Sequence, residues 1–319
     1  MRTKNRLMQD GREHIAVTGG AGFVGSHLVG ALLDHGASKV TVIDDFSRGR
    51  RENLAAWIAE PRLKIVGADV CDIDGLRDAL GGVRVIYHLA AQATVMGAAR
   101  DLDRTFRTNV VGTYNVLKVA ADLGVRRLVF ASSREVYGEP VSLPVAESHP
   151  LLPVNSYGAS KVAGEALCRA FARECGLETS ILRLANVYGD RDSGRVIPHW
   201  IEQARRGNDL VVYGGAQVID FVWVGDVTRA FMAAAATEIP VPPINLASGT
   251  GTKILDLARR IVHLANSDSQ IRVVPSRPIE VTRYIGSTDR MIQLLGLQPT
   301  TDPLAQLGSM IRGLAVAVA

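Results

Sequence analysis

From His14 to about Arg183 the chain alternates short, β-branched apolar runs with longer stretches whose apolar positions recur at helical spacing. His14–Thr18, Val40–Ile43, Leu63–Gly67, Val85–Leu89, Arg127–Ala131 and Thr179–Leu184 predict strands. Strand–helix alternation of this kind predicts parallel βαβ units. The strands are nearly continuous in apolar residues, as in a sheet covered by helices on both faces, so the expected fold class is α/β with a doubly wound parallel sheet. After Tyr188 the pattern loosens into short strands, turns and helices, although Asp220–Val224 and Ile244–Leu246 read as late strands returning to the main sheet. The expected division is a frayed tail of residues 1–13, a main domain of 14–188 with 220–247, and a smaller C-terminal α/β lobe of 189–219 with 248–319. Four prolines between Glu139 and Pro153 predict a surface loop framing a cleft.

Composition narrows the class. At 319 residues and 47% hydrophobic content the chain has ample material for a core. A net charge of +4, with both signs interspersed, is too mild for nucleic acid but suits anionic small molecules. Cys71, Cys168 and Cys175 have no metal-ligand spacing, and their odd number predicts reduced thiols, so no metal site is expected. Met1–His14 is polar, and no run approaches the roughly 18 apolar residues of a spanning helix. The expectation is a soluble, cytoplasmic protein with no membrane partner.

Two motifs carry chemistry. Thr18-Gly-Gly-Ala-Gly22-Phe-Val-Gly25 follows a strand and opens a helix, the context in which Gly19, Gly22 and Gly25 permit a tight turn and close approach of a pyrophosphate to backbone N–H groups. This predicts a dinucleotide site of the Rossmann type. Asp44 ends the second strand, where a carboxylate accepts hydrogen bonds from the adenosine ribose and repels a 2′-phosphate, which favours NAD over NADP. Arg48, Arg50 and Arg51 pull the other way, or simply form a solvated turn. In Tyr157-Gly-Ala-Ser-Lys161 the phenol and ammonium share a helix face. A nearby ammonium and a cationic nicotinamide ring are expected to lower the phenol toward the range of a useful base. A hydroxyl at Ser133, just past a strand end, would orient a secondary alcohol as its proton and hydride leave, or would bond its own turn.

These residues resemble the extended short-chain dehydrogenase/reductase superfamily, in its nucleotide-sugar epimerase/dehydratase branch. The likeness runs through Asp69-Val70, His88-Leu-Ala-Ala91, Asn109-Val-Val-Gly-Thr-Tyr-Asn115, Ser132-Ser133-Arg-Glu135-Val-Tyr-Gly138 and Leu182-Arg-Leu-Ala-Asn186-Val-Tyr-Gly189. It implies an NAD site formed by Gly19, Gly22, Phe23, Val24, Gly25, Asp44, Asp45, Phe46, Ser47, Asp69, Val70, Leu89, Ala90, Ala91, Asn109, Tyr157, Lys161 and Leu184. Within it Asp69 and Val70 meet the adenine, Asn109 helps hold the site helix, and Lys161 binds the nicotinamide ribose. Tyr157 moves the substrate hydroxyl proton and Ser133 bonds the same oxygen. In the lobe that takes the nucleotide-diphosphate sugar, Asn186 reaches the diphosphate, Tyr213 stacks near the base and Arg277 clamps phosphate. Many relatives carry an arginine before Asp220-Phe221, where this chain has Ile219; Arg195 or Arg283 either compensates or forms part of the solvated surface.

The reaction turns on Glu135. The 4,6-dehydratases of this branch carry an Asp-Glu pair where this chain reads Arg134-Glu135, so the acid is missing. Glu135 either abstracts a C5 proton made acidic by a 4-keto group or forms a salt bridge to Arg134. The leading expectation is an NAD-dependent nucleotide-sugar 4-epimerase working through a transient 4-keto sugar. The alternatives are a dehydratase or decarboxylase using that intermediate with Glu135, a simple reductase or dehydrogenase, and a non-catalytic dinucleotide-binding regulator. The resemblance also implies a homodimer paired through two helices, with apolar stretches at Thr105–Leu123 and Gly158–Arg173 available for it.

Overall fold

The computed structural model describes residues 13–276 and 281–316. The first half follows the alternating pattern: β1 (His14–Thr18), α1 (Phe23–Asp34), β2 (Lys39–Asp44), β3 (Leu63–Gly67), α2 (Ile73–Ala79) and β4 (Val85–His88). Next come α3 (Val95–Arg100), α4 (Leu102–Phe106), a π-helical turn at Arg107–Val111, α5 (Gly112–Asp122) and β5 (Arg127–Ser133). A 3-10 turn at Arg134–Tyr137 leads toward α6 (Ser156–Cys175) and β6 (Glu178–Leu184). The remainder forms β7 (Asn186–Tyr188), α7 (Val196–Arg205), β8 (Leu210–Tyr213), β9 (Val218–Trp223), α8 (Val224–Ala236), β10 (Ile244–Leu246), β11 (Gly251–Lys253), α9 (Ile254–Leu264), β12 (Ile271–Val274), α10 (Asp289–Leu295) and α11 (Leu307–Val316).

The main sheet has seven strands in the order β10-β6-β5-β4-β1-β2-β3, all parallel. Side chains alternate across it, as the pleat requires. Ile15 and Val17 join a core with Leu28 and Leu32 of α1 and Phe231 of α8. Ala16 between them faces the opposite core, with Val116 and Leu117 of α5 and Cys168 of α6. A third core gathers Tyr188, Trp200, Ile201, Phe221, Leu257 and Ile261 in the C-terminal half.

Two expectations are corrected. The strand at 218–223 does not return to the main sheet: β9 lies between β7 and β11 in a separate three-stranded sheet, while β8 and β12 pair in a third. Ile244–Leu246 does return, pairing with β6. The proline-rich segment lies at the surface as expected, but none of its residues lines the cavity described below. Its centre, Val145, is fully buried and exchanges backbone hydrogen bonds with Ile285 (2.7 Å) and Ser287 (2.9 Å), so the segment is tied to the chain beyond β12. No helix among the described residues is long and apolar enough to cross a membrane.

Candidate active site

A cavity of about 910 Å³ opens over the C-terminal ends of β1, β2, β4, β5 and β6 and is closed from the other side by residues of β7, α7, β8 and β9. Because β1 pairs with both β2 and β4, chain direction across the sheet diverges here, leaving the crevice where doubly wound sheets hold ligands.

The glycine turn lies under one end. Gly19 adopts φ +69°, and a Cβ there would stand 2.7 Å from the Ala90 backbone nitrogen. A Cβ on Gly25 would overlap the Gly19 carbonyl oxygen. Only glycine lets α1 start this close to β1 and the turn after β4. Asp44 is buried beside the turn, its Oδ2 accepting from Ala21 N and its Oδ1 from Phe46 N, both at 2.9 Å. Burial pushes its carboxyl above the usual value, against the pull of those two N–H groups. Each oxygen keeps a further lone pair, and the residue lines the cavity. The loop after β2 is fastened onto the same turn, Arg50 N and Asn53 Nδ2 donating to the Ala21 carbonyl at 3.0 and 2.8 Å.

A chain of buried hydrogen bonds stiffens the centre. The Thr113 hydroxyl donates to the Asn109 carbonyl at 2.6 Å and so accepts from His88 Nε2 at 3.0 Å. This fixes the tautomer: His88 Nδ1 accepts from the Thr18 hydroxyl at 2.7 Å, and that oxygen accepts from Ala90 N at 3.3 Å. Burial, aided by Lys161, pulls the His88 imidazole down to about 3, so it stays neutral.

Asn109 itself stands behind the cavity wall. Its Oδ1 accepts from Gln92 N at 2.7 Å and its Nδ2 donates to Ser160 Oγ at 2.9 Å, coupling the loop after β4 to α6. The resemblance implied this helix-holding part; the side chain is fully engaged and does not face the cavity. Phe46 also packs away from it, beneath Arg51, whose guanidinium lies 4.5 Å from the ring centroid.

Tyr157, Lys161, Ser133 and Glu135 all reach one wall. Asn155 caps α6, its Oδ1 accepting from Gly158 N at 2.8 Å, and so fixes the first turn that carries Tyr157. Burial pushes the Tyr157 phenol above its ordinary value; Arg195, the Ser133 hydroxyl and Arg48 oppose that, while Glu135 adds to it. The expected influence of Lys161 on the phenol is not found. Lys161 Nζ donates to the Ala131 carbonyl at 2.8 Å and sits 4.9 Å from the Phe130 ring centroid, against 5.9 Å from that of Tyr157. The arginines opposite, not the helix neighbour, are the cations that favour phenolate. Glu135 is likewise engaged, in an ion pair with Arg134 (2.8 Å) and a hydrogen bond from Asn155 Nδ2 (2.8 Å).

Of the expected second-lobe residues, Asn186 and Tyr213 line the cavity, as does Ile219. Arg277 lies outside the described residues. Arg195 lines the cavity in an ion pair with Asp192 (3.1 Å), whereas Arg283, exposed beside Val218 of β9, is not among the lining residues. Sequence reasoning missed Gly49, Asn53, Gln92, Asn155, Arg191 and Asp192. The arginines at 48, 191 and 195 carried a signal, three cations in glycine-bearing loops, but nothing local said that they converge.

Residues 15–247 match the NAD dependent epimerase/dehydratase family. The chain belongs to this family. A UDP-glucuronic acid decarboxylase 1 of Danio rerio is 34% identical over 302 residues, 92% of this chain and 70% of the relative. A putative UDP-glucose 4-epimerase of Methanocaldococcus jannaschii is 36% identical over 257 residues, 78% of this chain and 81% of the relative. The crystal structure of a dTDP-glucose 4,6-dehydratase from Streptomyces venezuelae, solved with NAD and TYD bound, superimposes with a TM-score of 0.91 at 33% identity, covering 95% of this chain and 97% of that one. Three relatives thus carry names for three reactions. Membership makes this an enzyme of an NAD-dependent, nucleotide-sugar family and leaves its reaction to the residues around Tyr157.

The family's cofactor fits the cavity on structural grounds. The Gly19 and Gly25 cradle has no room for a Cβ, α1 presents the N–H groups of its first turn, and Asp44 is held at the end of β2. Lys161 bears on stability as well. Burial pulls its ammonium from 10.5 down to about 8, so from about pH 8 to the unfolded value the folded state sheds a proton that the unfolded chain keeps, and stability rises with pH across that window. Below it the charged group opposes folding. Lys161→Met is therefore expected to raise the stability of cofactor-free protein at pH 7 by about 1–3 kcal/mol, less the bond to Ala131, and to flatten the rise above pH 8. Urea unfolding at pH 7 and 9.5 checks this; a variant less stable at both pH values sinks it.

Proposed function

We propose that this enzyme is an NAD-dependent nucleotide-sugar 4-epimerase. The reading rests on one observation: Tyr157 and Ser133 face the cavity together, while the neighbouring carboxylate, Glu135, is tied to Arg134 and Asn155. Tyr157 takes the proton of the sugar O4 as the C4–H bond breaks, and Ser133 holds the same oxygen. NAD, when bound, accepts the C4 hydride and gives it back. Lys161 would hold the nicotinamide ribose, and Tyr157 would return the proton to O4 once the 4-keto sugar has turned its other face. No net redox follows.

In the same reading Gly19, Gly22, Phe23, Val24 and Gly25 carry the cofactor pyrophosphate and Asp44 its adenosine ribose, with Asp45, Ser47, Asp69 and Val70 around the adenine end and Leu89, Ala90, Ala91 and Leu184 along the nicotinamide half. Asn186 and Tyr213 serve the nucleotide diphosphate. Ile219 leaves the diphosphate without an arginine on β9, and of the two candidates considered for that part Arg195 faces the cavity. Residues 14–188 with 220–247 are assigned the cofactor and 189–219 with 248–319 the nucleotide sugar. Exposed Leu102, Phe106, Val111 and Tyr114 on α4 to α5 support a homodimer through these helices, which sedimentation would test. The free cysteines support a cytoplasmic location, testable by cell fractionation.

Incubation with UDP-, dTDP- and GDP-sugars, with products resolved by mass and NMR, tests the reaction. An isomer of unchanged mass is expected. Loss of water or carbon dioxide overturns the proposal in favour of the dehydratase or decarboxylase reading, which the decarboxylase relatives support. Stoichiometric change in free cofactor absorbance would point to a dehydrogenase.

A further inference from the structure

A line of hydrogen bonds runs from the nucleotide-sugar side of the cavity to the start of α6, and Arg134 is its centre. Arg134 Nε donates to Asn186 Oδ1 at 2.7 Å, and Nη2 meets Glu135 Oε1 at 2.8 Å. Glu135 Oε2 accepts from Asn155 Nδ2, and Asn155 Oδ1 caps α6 through Gly158 N, each at 2.8 Å. The guanidinium also lies 5.6 Å from the Tyr284 ring centroid, so its plane is held from several sides. All three linked side chains, Arg134, Glu135 and Asn186, line the cavity.

Arginine can only donate. Asn186, which lines the cavity, must therefore turn its oxygen to Arg134, which leaves its NH₂ group with no hydrogen-bond partner among the described residues. Glu135 is held by one charged donor and one neutral donor, one on each oxygen. A carboxylate held at both oxygens is not free to swing. That matters for a sugar oxidised at C4, because the ketone makes the C5 hydrogen acidic and a free carboxylate nearby would remove it.

We propose that Arg134 is a positioning residue that sets the reaction outcome: by holding Glu135 and Asn186 each through an oxygen, it keeps the carboxylate from acting as a base at C5 and presents the Asn186 N–H group to the substrate. The idea rests on the 4-keto reading above. Released from Arg134, Glu135 takes the C5 proton, the electron pair passes into the enolate of the C4 ketone, and the proton delivered back to C5 comes from solvent. Nothing is lost or oxidised in that exchange. Expulsion of a C6 hydroxyl would need a proton donor for the leaving group, which the variant does not gain.

The experiment uses the nucleotide sugar identified by product analysis, turned over in D₂O. Wild-type product is expected to carry no deuterium at C5, whereas Arg134→Met product carries it, and Arg134→Met with Glu135→Gln loses it again. A lysine has one nitrogen in place of the planar fork and cannot span both oxygens, so Arg134→Lys is expected to show partial exchange. Affinity for the matching nucleoside diphosphate, measured calorimetrically, should fall about tenfold in Arg134→Met as Asn186 loses its orientation. C5 deuterium in wild-type product overturns the proposal. So does an Arg134→Met enzyme that turns over without exchange, or one that does not turn over and binds nucleoside diphosphate as tightly as wild type. A wild-type product lighter than the substrate sinks the epimerase reading instead, so the two failures are distinguishable.

Discussion

Tyr157→Phe is expected to lower kcat by about 10²- to 10⁴-fold, the range lost when a positioned acid/base is removed. Only the hydroxyl disappears: the ring stays in the first turn of α6, whose cap from Asn155 to Gly158 N does not involve it. Nucleoside diphosphate and NAD affinities should therefore stay within about threefold of wild type, since neither depends on the phenol proton. The pH profile adds a second check. Burial holds the phenol above its ordinary value, with Arg195 and Ser133 opposing, so the wild-type rate rises with pH as the base form is populated. The variant loses that dependence. An unchanged kcat would remove Tyr157 from the chemistry and with it the proposed mechanism.

Glu165→Ala is expected to destabilise the fold by about 3–5 kcal/mol, the cost of leaving a buried charge without its partner. Arg183 donates to Glu165 through Nε at 2.8 Å and Nη2 at 2.7 Å, and the Ser132 hydroxyl adds a third bond at 2.6 Å, all in the interior. Burial alone would raise the Glu165 carboxyl, but Arg183, the Ser132 hydroxyl and Arg169 together outweigh it and leave it below its ordinary value. A depressed acid contributes stability that is present above its unfolded pKa and is lost as pH falls through the folded one. The difference between wild type and variant should thus be full at neutral pH and shrink in acid. By the usual scaling the melting temperature drops by roughly ten degrees. Replacing both partners, Glu165→Leu with Arg183→Met, should cost much less, because no charge is then stranded. A single variant as stable as wild type would refute the coupling. Activity falls along with stability, since Glu165 sits one helical turn beyond Lys161 and Ser132 precedes Ser133.

What could be seen in the chain without a structure was local. The glycine turn and the Tyr157/Lys161 pair depend on spacings set by one strand end and one helical turn, and both landed where expected. The pairing partners of β9 did not follow from its apolar run, because burial on two faces looks the same whichever sheet supplies the neighbours. The proline-rich segment is exposed as read, but its anchoring through Val145 to the chain beyond β12 was not legible, because the partner lies some 140 residues away. The expected Lys161 effect on Tyr157 failed for a related reason: i and i+4 share a face, but the ammonium turns to Ala131, a carbonyl thirty residues away in sequence. Arg134 and Glu135 were adjacent and their pairing was foreseeable. That Asn155 and Asn186, 20 and 52 residues distant from Glu135 and Arg134, complete the line was not.

The loops after β1, β2 and β3 fall on one side of the switch point, and those after β4, β5 and β6 on the other. In the proposed reading, the residues that anchor the cofactor at its adenosine end therefore come from a different stretch of chain than the short turn at Arg134–Tyr137, whose Arg134 and Glu135 line the cavity. On the proposed mechanism, a change of one or two residues in that turn would alter the fate of an oxidised sugar without disturbing the grip on the cofactor. On that reading the sheet works as a partition, with the cofactor's grip on one side and the choice of reaction in a single loop on the other.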